Sequence, residues 1–441
     1  MPARRHASPS YPVIASLIYA YPEQLADAVI ADWPAQGGLV PPRERLIIVL
    51  STCFQASLLR EEERPISFRL ILGPLSAFPA DGGPPEGLQV LPFATPREFT
   101  TGEIRRVSPA VEFHRAMIGA TCTGEELMIW GVIHTGNRWF REIHGGRDAH
   151  LNLPSMLIVH VNAPGDLAVY CGPQIIATLN EGLVERGNVD IFKSRWLPAH
   201  FGDVREEVMQ LHVAAREAAL LQHPDKPWAM IDPDFMRMLA QHVLRRTVSV
   251  ICSQRHGGTM LFMPPEPEND GSLAVKYPFV RSPGRGRFRS VMVDIMNTLA
   301  EIHAGLADGL VGWRTYSQSS HPAITDLDEA VFEVGHLFAG LSAVDGALVL
   351  TQRLEVHGFG AEISSVLPPV ESVWRSLDLE GTRLVPDLAE RFGTRHRSVF
   401  RLCQRYPEVI AIVISQDGQV RFVRHVKEHG VVYFDHRMLG I

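Results

Sequence analysis

Two short runs carry residues whose types and spacing suit phosphate and cation chemistry. The first is Phe392-Gly393-Thr394-Arg395-His396-Arg397-Ser398. It packs a glycine, a hydroxyl, two guanidinium groups and an imidazole into five positions. Arginine offers forked donors to oxyanions, and threonine and histidine add single donors. The second is Val344-Asp345-Gly346-Ala347-Leu348-Val349-Leu350, a carboxylate at the mouth of an apolar strand. Gly346 follows it, a residue that lets a ligand approach the backbone. A carboxylate suits a hard divalent cation, and a polyphosphate brings one. Cation site plus phosphate cradle reads as nucleotide chemistry.

Each run has a plainer reading. Asp-Gly commonly starts a strand or makes a turn. The first run can be a solvated helix start with Thr394 as N-cap. Both readings place that run at a helix N-terminus, where amides and the helix dipole favour anions. The basic stretch Arg281 to Arg289 has a GxG but no GxxxxGK[ST] frame, so it is not a P-loop and reads as a flexible basic loop, with a single-strand nucleic-acid contact as the alternative. His134, His144, Asp148 and His150 lie close together at spacings that match no zinc pattern. No GxSxG, HExxH or paired Cys–His frame is present to support a hydrolase.

The elements that must position these residues follow from periodicity. Residues 11–32 read as a helix, and 46–73 as two strands around a charged turn. The Pro/Gly-rich stretch 74–97 reads as a surface loop, followed by strands at 127–134, 156–162 and 166–171. Helical spacing begins at about 203, and Pro224, Pro227 and Pro233 then punctuate the chain. We therefore expect a β-rich α+β N-terminal domain (1–220) and an α/β C-terminal domain (221–441) with a mixed sheet flanked by helices. In the latter we expect helices at 235–253, 290–307, 326–341, 385–391 and 397–405. Strands are expected at 259–263, 345–351, 409–415 and 419–425. No role is assigned to 362–386 beyond a lid or a dimer contact.

The chain has 441 residues, 46% hydrophobic and 21% charged, with a formal charge of −7. These values fit a globular protein of two or three domains and give no global basic field for duplex DNA or an anionic membrane. Nucleic acid is not expected as a partner. Five scattered cysteines form no CxxC pair, which argues against a zinc site or a disulfide framework. Neither a secretory signal nor a long apolar span is visible, so the expected location is the cytoplasm.

DGA on a strand, with GTRHR opening a later helix and VIAIVISQDGQVRFV as a final hairpin, resembles the diadenylate cyclase (DAC) domain. The resemblance covers roughly the C-terminal half. STCFQASLLREEERPISFRLIL and WGVIHTG in the N-terminal half are similar to the sensor-type DACNV module fused to such cyclases. This implies condensation of two ATP into cyclic di-AMP with Mg²⁺ or Mn²⁺, under control of a sensor with an unknown ligand or partner. Asp345 would bind the cation near the attacking 3′-hydroxyl, and Gly346 and Ala347 would line the nucleotide pocket. Gly393, Thr394, Arg395, His396 and Arg397 would hold the triphosphate, with Arg395 and His396 catalytic alongside Asp345. Facing protomers would each bind one ATP, so a homodimer or higher assembly is implied. The family carries Ser-Glu-Glu in the final hairpin, and this chain has Ser415-Gln416-Asp417. Ser415 would contact the nucleotide and Asp417 would be the remaining second metal ligand. Gln416 opens an alternative, a nucleotide-binding sensor whose site does not turn over.

Overall fold

Short continuous apolar runs dictate the centre of the C-terminal sheet. In the strands Gly258–Met263, Ala347–Thr351 and Ile410–Ile414 every residue is buried, as a sheet covered on both faces requires. Met260, Phe262, Leu348, Leu350, Ile410, Ile412 and Ile414 point to one layer of helices. Leu261, Met263, Ala347, Val349, Ala411 and Val413 point to the opposite layer, with Val399, Phe400 and Leu402. The first layer holds the helices Gly202–Gln222, Phe235–Ser253, Arg287–Ile302 and Pro322–Ser342, and the second holds Thr394–Arg405.

The structure, a computed structural model, describes residues 19–437 apart from 79–81, 85–86, 125, 137–146, 148–154, 173, 181, 187–189, 255, 266–269, 306–309 and 417. The C-terminal sheet has nine strands. Their order is Leu273–Pro278, Val356–Ile363, Ala347–Thr351, Gly258–Met263, Ile410–Ile414, Gln419–Val426, Gly430–Arg437, Ser372–Ser376 and Leu384–Leu388. Two of its neighbour pairs are parallel, Gly258–Met263 with Ala347–Thr351 and Ser372–Ser376 with Gly430–Arg437. The fold is the mixed α+β architecture expected, with a β-rich N-terminal region and a helix-flanked C-terminal sheet.

The N-terminal sheet has eight strands, ordered Leu183–Arg186, Gln174–Asn180, Asp166–Cys171, Leu157–Ala163, Phe68–Leu72, Ala116–Thr123, Glu126–His134 and Gln89–Glu98. The helices Pro22–Asp32 and Arg43–Ser57 share its core through Leu25, Val29, Leu46, Leu50 and Cys53.

Three expected elements differ. Residues 43–57 form a helix rather than the first of two strands, because Leu46, Val49, Leu50, Cys53 and Ala56 repeat at helical spacing and are all buried. Residues 89–98, read as loop, form an edge strand. Its Pro92 and Pro96 are tolerated there, and a register shift lies between Pro92 and Arg97. Residues 384–388 form a strand, and Ala389–Arg391 a single 3₁₀ turn, where a helix was expected. The strand pairs antiparallel with Ser372–Ser376 at the end of the sheet, and the edge accommodates Pro386. Two stretches of the segment 362–386, at 372–376 and 384–386, therefore extend the sheet.

Several contacts join the two sheets' surroundings. Ile191, Phe192, Trp196, Val204 and Val208, all before the expected division at 220, pack in the core that contains the C-terminal sheet. Arg147 donates to the carbonyl of Ser319 at 2.8 Å and lies 3.4 Å from the Asp328 carboxylate. Asp328 belongs to Pro322–Ser342, the helix that runs into Asp345. Among the described residues no helix is long and apolar enough to cross a membrane.

Candidate functional site

Asp345 stands just ahead of a central strand, at that strand's amino end and at the same sheet edge as the carboxyl end of the antiparallel strand Ile410–Ile414. It is exposed, while the strand after it is buried. Gly346 adopts φ +112°, and a Cβ there would lie 2.6 Å from the Gly360 carbonyl carbon. The glycine is thus required by backbone conformation and by the close approach of Val356–Ile363. That packing constraint accounts for it without any ligand.

Across from Asp345 stands the helix Thr394–Arg405. Its N-cap is Gly393, which supplies no side-chain cap, so Thr394 is the first helical residue rather than the N-cap. Arg395 reaches back over the sheet, and its Nη1 donates to the carbonyl of Ile414 at 3.3 Å. Gly257, at φ +65°, makes room for it: a Cβ there would meet that nitrogen at 2.7 Å.

Between the two walls lies a cleft of about 760 Å³, lined by Asp345, Gly346 and Ala347 on one side and Thr394, Arg395 and Ser398 on the other. Gln416, Thr259, Glu362, Ser364 and Ser365 complete much of the lining. Five of the expected site residues are therefore brought together. Gly393, His396, Arg397 and Ser415 are not among the lining residues, and Asp417 lies outside the described residues. Ser415 closes the final hairpin, its Oγ accepting from the Gln419 amide at 3.1 Å. Arg397 is exposed.

His396 is buried beneath the cleft's helix wall. Arg421 Nη1 donates to its Nε2 at 3.2 Å, which puts the ring proton of the neutral form on Nδ1. Burial, followed by the charges of Arg421 and Arg395, holds its pKa down to about 4. Arg421 also donates to Asp435 and Gln419, each at 2.8 Å. Asp435 accepts from Arg375 at 2.8 Å, and Arg375 from the C-terminal sheet meets Glu185 at 3.3 Å. Glu185 sits on Leu183–Arg186, the edge strand of the N-terminal sheet.

Glu362, which opens the stretch 362–386, carries no sequence signal of a site. Its strand begins the cleft's third side, and it pairs with Lys276 at 2.6 Å. The hydrogen bond to Glu362, then the Glu362 and Asp345 charges, raise the Lys276 pKa. Asp345 and Glu362 thus give the cleft two carboxylates, oxygen donors of the kind a hard divalent cation takes. Among the described residues no group of three or more His, Cys, Asp or Glu forms a metal cluster. His144, Asp148 and His150, which follow His134 in sequence, lie outside the described residues.

Residues 36–134 match the family described as probable sensor domain DACNV. That stretch runs from before the helix Arg43–Ser57 to the end of the strand Glu126–His134. A DACNV sensor domain is thus present in the N-terminal part of the chain. No curated protein matches the chain.

Proposed function

We propose that the protein is a diadenylate cyclase: two chains, each holding one ATP, form cyclic di-AMP under the control of the N-terminal sensor domain. The observation that carries this reading is the meeting of Asp345-Gly346-Ala347 and Thr394-Arg395 across one cleft. Its volume suits a single nucleotide. The DACNV match supports it from the other end of the chain, being a module of the kind fused to such cyclases. A division into an N-terminal regulatory unit and a C-terminal catalytic unit belongs to this reading, with residues 191–208 packed in the core of the catalytic unit rather than before a boundary at 220.

In this mechanism Arg395 holds phosphate oxygens, and the uncapped first turn of its helix adds amide donors. Asp345 and Glu362 are the residues that would hold Mg²⁺ or Mn²⁺; when bound, the ion supplies charge neutralisation on the phosphates. The 3′-oxygen of one ATP bonds to the α-phosphorus of the other. The bond from that phosphorus to the bridging oxygen breaks, and pyrophosphate leaves with its electron pair. The hydroxyl proton passes to solvent. Repeating the step with the roles exchanged closes the ring and releases a second pyrophosphate. One cleft per chain requires two chains to face each other. Catalysis here is positioning and electrostatics.

The test incubates the full chain with ATP and Mg²⁺ or Mn²⁺ and follows cyclic di-AMP and pyrophosphate by chromatography. Asp345→Asn is expected to lower product formation at least about a hundredfold. A second reading is favoured by one feature, the amide of Gln416 in the cleft lining. Under it the site binds ATP as a sensor without turnover. ATP binding with no product under either metal selects that reading, and absence of ATP binding defeats both.

A further inference from the structure

We infer that Arg421 and Asp435 are positioning residues for the helix wall of the cleft, and that Arg375 and Glu185 extend this positioning to the N-terminal sheet. As a statement about catalysis this rests on the nucleotide reading above; as a statement about the helix it does not.

The geometry is a continuous row of charge. Arg421 and Asp435 face each other in register on adjacent antiparallel strands. Each Asp435 oxygen takes one arginine: Oδ1 accepts from Arg421 and Oδ2 from Arg375, both at 2.8 Å. The two cations are therefore held side by side by one carboxylate, and its loss leaves like charges facing each other. Arg421 then spends its remaining donors on Gln419 and on His396 Nε2. It also lies over the rings of Phe392 and Tyr433, 5.3 and 5.7 Å from their centroids. Phe392 and His396 bracket the start of the helix that carries Thr394 and Arg395. The guanidinium is thus fixed on several sides and can seat the first turn. At the far end Glu185 meets Arg375 at 3.3 Å, and both side chains are partly exposed. That outer link joins an edge strand of one sheet to the other sheet.

The experiment uses the full chain and two readouts: hydrogen exchange of the peptide spanning 392–400, and ATP affinity by calorimetry. Asp435→Asn is expected to speed exchange at 394–398 and to weaken ATP binding about tenfold, with Asp435→Glu restoring most of both. Glu185→Gln cuts a partly exposed pair and leaves the core untouched, so it serves where Asp435→Asn fails to fold. It is expected to shift both readouts in the same direction, by about threefold in affinity. Its effect is expected to vanish when Arg375→Gln is already present. Unchanged exchange at 394–398 in Glu185→Gln and in a folded Asp435→Asn overturns the inference, as does strict additivity of Glu185→Gln with Arg375→Gln. If the wild type binds no ATP, the cyclase reading falls while the exchange measurement still decides whether these residues position the helix.

Discussion

The two walls of the cleft are built on different principles. The strand wall is fixed by backbone: Gly346 sits at positive φ against Gly360 and Ala361, and Asp345 is left exposed at its tip. The helix wall is fixed by side chains, with Arg395 tied to Ile414, and His396 held from below by Arg421. A backbone constraint either holds or fails, whereas a side-chain network can be adjusted in steps. The wall proposed to hold the cation is accordingly the rigid one. The wall proposed to hold the phosphates is the one connected, through Asp435 and Arg375, to the sensor-bearing half.

The largest effect expected from this contrast is on stability. Gly346→Ala asks an L-residue to adopt φ +112° and places a methyl 2.6 Å from backbone that cannot swing away. A loss of roughly 2–4 kcal/mol is expected. Gly393→Ala, with no atom within 4 Å of its would-be Cβ and φ −62°, should lose no more than about 1 kcal/mol. Urea unfolding of the two variants checks this. Equal losses would mean that the walls do not differ as described.

Legibility in the sequence followed the same division. The central strands of the C-terminal half could be read because they are short continuous apolar runs, and its helices because their apolar residues recur at helical spacing. Asp345 and Arg395 could be read because their neighbours restrict them to element ends. His396 could not be placed: spacing says nothing about which side of a helix faces the sheet, and it was Arg421, 25 residues away, that claimed the ring. Glu362 escaped for a similar reason, since its place in the cleft depends on a strand with positive-φ glycine at 360 and irregular register. The helix 43–57 was missed because a short apolar run satisfies strand and helix periods alike.

A middle-sized effect tests the side-chain wall through pH. The folded protein holds the His396 pKa at about 4, against 6.5 for the free side chain. The unfolded chain therefore takes up a proton that the folded form refuses between these values. Stability is full above pH 6.5 and falls as pH drops toward 4, by roughly 2 kcal/mol for this group at about pH 4.5. His396→Gln should remove that share of the acid slope in urea melts compared at about pH 7 and pH 4.5. His200, also held down to about 4 by burial and then Arg424, remains and keeps part of the slope. An unchanged slope in His396→Gln would place the protonating group elsewhere.

The smallest effect concerns the strand wall again, at the floor of the cleft. Thr259 lines the cleft from Gly258–Met263 and is 3% exposed, and its hydroxyl has no hydrogen-bond partner among the described residues. A buried hydroxyl without a partner costs stability, and replacing it by a methyl of the same shape removes that cost. Thr259→Val should thus leave the ligand-free protein as stable as before or raise it by up to about 1 kcal/mol. The opposite sign is expected for a hydroxyl that holds the wall together. A clear loss of stability in Thr259→Val would show that the strand wall, like the helix wall, depends on a side-chain bond. The contrast between the two would then lie only in how many such bonds each carries.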